Sequence, residues 1–348
     1  MSSALKTALV VGLIGSSYLL SGQAAPIYSG YKDITQDMNW QNNVISSTAH
    51  LPSAGSGSLP LSEDLLLPEN NTITLAFATG ACGSETWAGV TPADIKMNLN
   101  LLVASHINYI ISTGGAAGVF SCSNVNDMTT FINNYASSNM IGIDFDIEGG
   151  YTAGQITSLI DTTATVQQTT MPTLRVSLTL ATTASAGGSL NVLGIDAVKA
   201  AQAAKLNFYV NLMVMDYGST ASCQVGSNGQ CDMALSAEFA ANSLSKEYGI
   251  PLSHIELTPM IGDNDSADET TTVSNATSIA QYVKANNMAG LHYWSFDRDI
   301  PCSSASSTNS VGASPSCNTA STAPMQFDQA FLAGLGLSSK KTGVSGSV

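Results

Sequence analysis

The feature of this chain that most restricts its fold is a regular alternation of short β-rich runs with helix-like stretches. Eight such runs lie between residues 27 and 296, and helix-like stretches separate or follow them up to residue 335. Strands that alternate with helices form parallel sheets, and eight of them close a barrel. We therefore predict an α/β protein with a single domain, a (β/α)8 TIM barrel over residues 25–337. The alternative is an open doubly wound sheet, but the chain has no Gly-x-Gly-x-x-Gly or phosphate loop to support it.

The two ends of the chain are not expected to belong to the barrel. Residues 1–24 have the pattern of a secretory signal peptide, with a positive charge at Lys6, a short apolar core over Ala8–Leu20 and a cleavage site at Gly22–Ala24. The apolar core is too short, and too often interrupted by Gly and Ser, to span a membrane. Residues 338–348 are predicted to be a disordered tail. We therefore expect a secreted, extracellular protein with no membrane partner.

The six cysteines agree with an extracellular destination, because disulfides persist in oxidising compartments. Six cysteines allow fifteen pairings. The pairing that we predict closes two short loops and ties two further loops together at one end of the fold: Cys223–Cys231, Cys302–Cys317 and Cys82–Cys122. A zinc site is the alternative, but the chain has no Cys-x-x-Cys and its four histidines are scattered. No metal ion or other cofactor is predicted.

The charge balance restricts the partners of the protein. Only 10% of the residues are charged, and the formal net charge is −14. An acidic surface repels nucleic acid and anionic lipid, so neither is expected as a partner. The composition suits an uncharged, hydroxyl-rich or cationic ligand, and we expect the protein to act as a monomer.

The best indication of chemistry is a run of alternating acids in the fourth predicted strand, over Ile141–Glu148. Alternate side chains of a strand point to the same face, so Asp144, Asp146 and Glu148 share one face while Ile and Phe occupy the other. Crowded like charges cannot all stay ionised, which favours a protonated acid that can act as a proton donor. A solvated surface or a calcium loop is the alternative, but the bulky β-forming residues between the acids disfavour both. Glu148 ends the strand, which would place it at the barrel mouth.

Four motifs make the chain resemble glycoside hydrolase family 18, the chitinases. The acidic run is similar to the family's Asp-Gly-x-Asp-x-Asp-x-Glu, except that Ile141 replaces the first Asp. Ser112–Gly115 is similar to the family's Ser-x-Gly-Gly, Met215–Tyr217 to its strand-six segment, and Tyr293–Asp297 to the segment with its floor tryptophan. The resemblance covers residues 27–335 and implies a compact bacterial-type member without the α+β insertion domain.

The resemblance assigns a role to each candidate residue. Glu148 would be the general acid and then the base. Asp146 would orient the 2-acetamido group of the sugar and stabilise a positive intermediate, while Asp144 would share a proton with Asp146. Tyr217 would hydrogen-bond the acetamido oxygen. Trp294 would lie under the sugar ring, and the remaining candidate substrate contacts are Met215, Tyr31, Trp87 and Tyr151.

The arrangement of the acids predicts the type of reaction. Asp146 and Glu148 lie about 6.7 Å apart along one strand, so they cannot flank a glycosidic bond from opposite sides. The nucleophile would then be the acetamido oxygen of the substrate itself. We therefore predict a retaining, endo-acting chitinase that cleaves β-1,4 bonds of chitin or another N-acetylglucosamine-containing polysaccharide. An endo-β-N-acetylglucosaminidase acting on glycoprotein glycans and a non-catalytic chitin-binding lectin are the alternatives.

Overall fold

The computed structural model describes residues 25–63, 66–67, 71–303 and 313–337. The predicted signal peptide (1–24) and the predicted tail (338–348) lie outside these ranges. Within the described ranges, no helix has both the length and the apolar character that a membrane crossing requires.

Eight parallel strands form a closed barrel, as the sequence predicts. Each strand pairs with the next in chain order, and the eighth pairs with the first. The strands are Ile27–Asp33 (β1), Thr72–Ala78 (β2), Asn108–Gly114 (β3), Met140–Ile147 (β4), Val176–Ser185 (β5), Tyr209–Met213 (β6), Ile255–Thr258 (β7) and Gly290–Tyr293 (β8). Because the strands are parallel, all of their carboxyl ends meet at one mouth of the barrel.

Seven α-helices in the described ranges cover the outside of the barrel. They are Pro92–Ala104 (α1), Val125–Tyr135 (α2), Ala153–Thr169 (α3), Val192–Ala203 (α4), Met233–Tyr248 (α5), Val273–Ala285 (α6) and Gln326–Leu335 (α7). The first six begin at a Thr, Asn or Asp whose side chain accepts a hydrogen bond from an N–H of the first turn. Such caps satisfy donors that have no partner inside the helix, which fixes where each helix starts.

The alternation of strands and helices is incomplete after β1. The described residues of the β1–β2 loop (residues 34–71) contain no helix, but they include the short antiparallel pair Ser46–Ser47 and Leu59–Pro60. Ser47 attaches this loop to the barrel, because it donates to Oδ1 of the buried Asp297 at 2.7 Å. The other oxygen of Asp297 lies 2.9 Å from Lys32 Nζ of β1. The loop is therefore attached to the end of β8 as well as to β1.

The two faces of β4 have the separation that the sequence predicts. Ile143, Phe145 and Ile147 are fully buried, and Phe145 stacks on Phe120 in front of α2. Asp144 and Asp146 lie on the interior face. Gly114 fixes the neighbouring end of β3, because a Cβ at this residue would lie 2.1 Å from the carbonyl oxygen of Asp146. The close approach of the two strand ends therefore requires glycine there.

Three disulfides have the predicted pairing. Cys82–Cys122 joins the loops after β2 and β3, beside the short parallel pair Gly80–Ala81 and Phe120–Ser121. Cys223–Cys231 and Cys302–Cys317 close short loops. Two more short antiparallel strands, Gly188–Leu190 and Gly262–Asp263, pair with β5 and with Thr270–Thr271. These connections lie beyond the carboxyl ends of the strands and shape the mouth of the barrel.

Candidate active site

A cavity of about 340 Å³ opens among the carboxyl ends of the barrel strands. Every strand or the loop after it contributes at least one lining residue. The two acids at the end of β4, Asp146 and Glu148, line the cavity, and so do Tyr31, Met215 and Trp294. The structure thus brings five of the predicted site residues together at the mouth, where active sites of such barrels occur.

Asp144 lies beneath the cavity and is held by four hydroxyl groups. Its Oδ1 accepts hydrogen bonds from Ser177 and Thr179, each at 2.7 Å. Its Oδ2 accepts from Ser112 at 2.7 Å and from Tyr31 at 3.0 Å. Burial raises the pKa of Asp144, and these hydrogen bonds act in the opposite direction because they favour the carboxylate.

Asn211 orients two of these hydroxyl groups. Its Nδ2 donates to the hydroxyl of Tyr31 at 2.9 Å and to that of Thr179 at 3.0 Å. Thr258 donates to Asn211 Oδ1 at 2.7 Å, which fixes the orientation of the amide. Since the hydroxyls of Tyr31 and Thr179 both accept a hydrogen bond from the amide, the proton of each hydroxyl is free to point at Asp144.

Asp146 differs from Asp144 in lacking such partners. Its Oδ1 is buried without a hydrogen bond. Burial, the charge of Glu148 and the charge of Asp144 together raise the pKa of Asp146 well above its usual range. The predicted proton sharing between Asp144 and Asp146 is not observed, because hydroxyl groups occupy both oxygens of Asp144 and no hydrogen bond joins the two carboxyl groups.

Glu148 stands at the mouth and is partly exposed. Burial and then the charge of Asp216 raise its pKa. Asp216 lies on the loop after β6, and Ser266 donates its backbone N–H to Asp216 Oδ1 at 2.9 Å. A carboxylic acid whose pKa is raised toward neutrality can hold a proton and still release it, as a general acid must.

The apolar part of the cavity is an aromatic pair that the sequence predicts only in part. Trp294 lines the cavity as expected, and its indole stacks on Phe77 at 5.7 Å between ring centroids. The ring centroid of Tyr31 lies 6.1 Å from that of the same indole. Phe77 lies near the end of β2, and nothing in the local sequence distinguishes it from a core residue. The pair offers a flat apolar surface below the two acids.

The predicted contact of Trp87 with substrate is wrong. Its indole is fully buried and donates to the hydroxyl of Tyr135 at 3.0 Å, which in turn donates to Glu85 at 2.7 Å. Trp87 therefore packs between the loop after β2 and the end of α2. It has no surface with which to contact a ligand.

Two further predicted residues lie behind the cavity wall. Tyr151 is not at the rim: it is buried, and its hydroxyl accepts from the backbone N–H of Phe120 at 2.9 Å. Tyr217 does not line the cavity either, and its buried hydroxyl has no hydrogen-bond partner. The chain turns at Asp216, which has a left-handed φ of 48°, and Glu269 accepts the backbone N–H of Tyr217 at 2.9 Å. Asp216 lines the cavity, and Tyr217 follows it in a buried position.

No group of three or more potential metal-ligating side chains occurs in the described part of the chain. The cavity lining contains four carboxylates and no Lys or Arg. The arrangement can therefore donate a proton, accept an N–H and stabilise a positive charge.

The curated proteins that are similar to this chain are chitinases, as its motifs predict. No family model matches the chain. Endochitinase 11 of Metarhizium anisopliae is 28% identical over 267 residues, which cover 66% of this chain and 48% of that protein. A probable bifunctional chitinase/lysozyme of Escherichia coli K12 is 28% identical over 223 residues, covering 55% of this chain and 23% of that protein. The chain thus spans about half, or less, of the length of these curated relatives.

Solved structures share the barrel. The catalytic domain of a hyperthermophilic chitinase from Pyrococcus furiosus superposes with a TM-score of 0.66 at 23% identity, covering 90% of this chain and 97% of that one. Catalytic-site mutants of active domain 2 of that organism's thermostable chitinase, complexed with chito-oligosaccharides, give 0.65 at 22%, with coverages of 90% and 97%. The inhibitor XAIP-II of Scadoxus multiflorus, which acts on xylanase and α-amylase, gives 0.54 at 12%, with coverages of 89% and 98%. These structures confirm the predicted barrel, and the named relatives confirm the resemblance to chitinases.

Proposed function

We propose that this chain, which resembles family 18 chitinases in its motifs, its fold and its relatives, hydrolyses β-1,4 bonds of N-acetylglucosamine polymers. The observation that carries the proposal is the pair of acids at the end of β4. Asp146 presents a buried oxygen that has no partner in the protein, and Glu148 lies two residues further on with a raised pKa. An acetamido N–H of a substrate would supply the missing donor.

The proposed reaction divides the work between these acids. Glu148 protonates the glycosidic oxygen, and the acetamido oxygen of the same sugar attacks the anomeric carbon as the bond breaks. Asp146 accepts the acetamido N–H and balances the positive charge of the cyclic intermediate. Glu148, now ionised, takes a proton from a water molecule as that water attacks the anomeric carbon from the face opposite the acetamido oxygen. The bond between the anomeric carbon and the acetamido oxygen breaks, and the two successive inversions retain the configuration.

The lining of the cavity supports this division. The stacked pair of Trp294 and Phe77 suits the apolar face of a pyranose ring, since aromatic faces bind flat apolar surfaces. Between β7 and β8 the chain has only residues 259–289, most of which form α6 and short turns. The chain therefore has no wall domain at this position, which favours an open groove and endo-type cleavage. Secretion remains part of the proposal on the strength of residues 1–24.

The alternatives use the same fold. An endo-β-N-acetylglucosaminidase would use the same acids on a glycoprotein glycan. A non-catalytic lectin or inhibitor would bind without hydrolysis, and the Scadoxus protein illustrates that this barrel occurs in inhibitors. Glu148 and the raised pKa of its carboxyl group favour an enzyme, because a binding protein has no need of a proton donor.

The test compares the wild type with Glu148→Gln on chito-oligosaccharides and on a high-mannose glycopeptide, with products identified by mass. We expect the wild type to cleave the oligosaccharides and the variant to lose at least 100-fold in rate, on the order of what a general acid contributes. Glu63→Gln is the matched control, because Glu63 is an exposed glutamate on the β1–β2 loop. Equal turnover by Glu148→Gln would refute the assignment, and cleavage of the glycopeptide alone would favour the glucosaminidase.

The source of the nucleophile has a separate test. Asp216 faces Glu148 from the loop after β6 and also lines the cavity, so it is a candidate to activate water as an ordinary base. If the substrate supplies the nucleophile, an oligomer with unacetylated glucosamine at the cleavage position is not hydrolysed, whereas Asp216→Asn still hydrolyses the acetylated oligomer. Hydrolysis of the unacetylated oligomer, or complete inactivity of Asp216→Asn, would exclude the substrate-assisted route.

A further inference from the structure

The β1–β2 loop carries an exposed tryptophan that the proposed reaction does not use. Trp40 is 57% exposed, and every other aromatic side chain in the described ranges is less exposed. Tryptophan is one of the residues that most often dominate the energy of a binding surface, but a single exposed apolar side chain is common, so the turn and the polar neighbours of Trp40 must indicate whether it binds a ligand.

The turn that presents Trp40 is held by hydrogen bonds within the loop. The backbone N–H of Asn39 donates to the carbonyl of Val44 at 3.0 Å, and that of Asn42 donates to the carbonyl of Asn39 at 3.2 Å. The side-chain oxygens of Asn39 and Asn42 accept the backbone N–H groups of Gln41 and Val44, each at 3.1 Å. Trp40 therefore stands on a fixed hairpin.

Contacts with α1 hold the base of the hairpin. Asn98 accepts the backbone N–H of Ile45 and donates to the carbonyl of Asn43, each at 2.8 Å. Ser47, two residues after Ile45, donates to the buried Asp297 at the end of β8. Little conformational entropy is therefore lost when a ligand covers the indole, which favours binding.

The surroundings of Trp40 determine the chemistry of the ligand. Residues 38–49 contain no charged side chain, although the chain has a net charge of −14. The exposed neighbours Asn39, Gln41 and Asn42 carry amide groups, and the carbonyl oxygens of the two asparagines already bind backbone N–H groups. Their NH₂ groups can donate to hydroxyl or acetamido oxygens. An indole face beside neutral amide donors suits an uncharged sugar, whose apolar C–H face can stack on the ring.

We propose that Trp40, with the amides of Asn39, Gln41 and Asn42, forms a second carbohydrate-binding site that holds an N-acetylglucosamine polymer outside the cleavage cavity. The identity of the polymer rests on the proposed function, whereas the presence of a neutral sugar-binding surface does not. The site lies nine residues after Tyr31, so the loop connects it directly to a strand that lines the cavity. Its effect would be to keep the enzyme on an insoluble substrate between cleavage events.

The test measures adsorption to insoluble chitin in the Glu148→Gln background, so that the polymer is not consumed. We expect Trp40→Ala to raise the Kd for insoluble chitin about tenfold, which is the loss typical of an aromatic anchor. Trp40→Phe should lose less, because it keeps an aromatic face. Leu235→Ala is the matched control, because Leu235 is 51% exposed on α5 and is not part of either site.

Hydrolysis assays with Glu148 restored separate this inference from the proposed function. We expect Trp40→Ala to lower the ratio of the rate on insoluble chitin to the rate on soluble chito-oligosaccharides, and Leu235→Ala to leave the ratio unchanged. Equal adsorption of the Trp40→Ala and Leu235→Ala proteins would overturn the second site, even if the wild type hydrolyses soluble oligosaccharides. A wild type that adsorbs through Trp40 but hydrolyses nothing would instead overturn the proposed function.

Discussion

Replacement of Asp144 by asparagine tests whether its hydroxyl partners hold a carboxylate. The substitution keeps the shape of the side chain and removes the charge. An asparagine oxygen can accept only two of the four hydroxyl hydrogen bonds, so its NH₂ group must face the other two hydroxyls. Each oxygen of Asp144 binds one hydroxyl that Asn211 orients, Thr179 at Oδ1 and Tyr31 at Oδ2. Whichever way the new amide points, one of these oriented hydroxyls has to reverse.

The size of the effect follows from the lost hydrogen bonds. A hydrogen bond to a charged group contributes about 1.5–3 kcal/mol, so the loss of two costs roughly 3–6 kcal/mol. Two reversed hydroxyls can accept from the new NH₂ at about 1 kcal/mol each, and a neutral amide is less costly to bury than a carboxylate. We therefore expect Asp144→Asn to lower the free energy of unfolding by about 1–4 kcal/mol. Urea denaturation at pH 7 measures this difference.

The same variant should change the pH dependence of activity. The charge of Asp144 is one of the causes that raise the pKa of Asp146, after burial and the charge of Glu148. Removal of that charge lowers the pKa of Asp146. Because Asp146 and Glu148 repel each other as like charges, the last proton lost from the two acids, which the general acid needs, is then lost at a lower pH. The alkaline limb of the kcat/KM profile should therefore move to lower pH. Ser177→Ala, which removes one donor and keeps the carboxylate, should destabilise the protein without that direction of change. An Asp144→Asn protein with wild-type stability and an unmoved alkaline limb would falsify the reasoning.

Three further predictions concern other parts of the molecule. Asp216→Asn should also move the alkaline limb of kcat/KM to lower pH, because the charge of Asp216 helps to raise the pKa of the general acid; an unchanged limb would contradict this coupling. Lys32→Met should lower the free energy of unfolding by about 3–5 kcal/mol in urea, because it leaves the fully buried Asp297 without its ion-pair partner. The double variant Lys32→Met/Asp297→Leu should recover part of that loss, and a failure to do so would show that the pair is not the cause. Replacement of both Cys82 and Cys122 by serine should cost about 4 kcal/mol, since the disulfide closes a loop of 40 residues, and a loss below about 1 kcal/mol would contradict the loop-closure argument.

The part of the fold that could be predicted from sequence depends on local periodicity. The alternation of acids with Ile and Phe in β4 places Asp144 and Asp146 inside the barrel, because residue spacing along one strand determines which face each side chain occupies. The sequence predicts no helix between the first two strands, since the residues after Asp33 carry no strong helical pattern, and the described residues of the β1–β2 loop contain none. The disulfide pairing was also predicted, because the Cys82–Cys122 bond joins loops that follow adjacent strands.

The partners of each acid could not be predicted, because they depend on the register between strands. Asp144 lies opposite Ser177, and Thr179 lies opposite both Asp146 and Asn211, which brings Asn211 of β6 into the network around β4. Periodicity along one strand carries no information about this alignment. The error at Trp87 has a related cause, because a loop aromatic gives no sign in its own sequence that Tyr135 covers it. The role of Tyr217 stays a prediction, since its hydroxyl is buried and has no partner in the protein.

Two buried acids in the same barrel show why the unpaired state of Asp146 matters for function. Burial would raise the pKa of Glu256 on β7, but the charges of Arg175 and His292 outweigh burial and lower its pKa to about 2. Asp146 is as deeply buried, and its charged neighbours are Glu148 and Asp144, so burial and charge both raise its pKa. The two acids differ because of the groups around them. The guanidinium of Arg175 neutralises Glu256, whereas hydroxyl groups hold Asp144, the acid next to Asp146, without neutralising its charge. A lysine or arginine beside Asp144 would hold that carboxylate equally well, but it would lower the pKa of Asp146 and remove the proton from the pair that faces the cavity. Neutral donors are therefore the partners that hold Asp144 in place without lowering the pKa of Asp146.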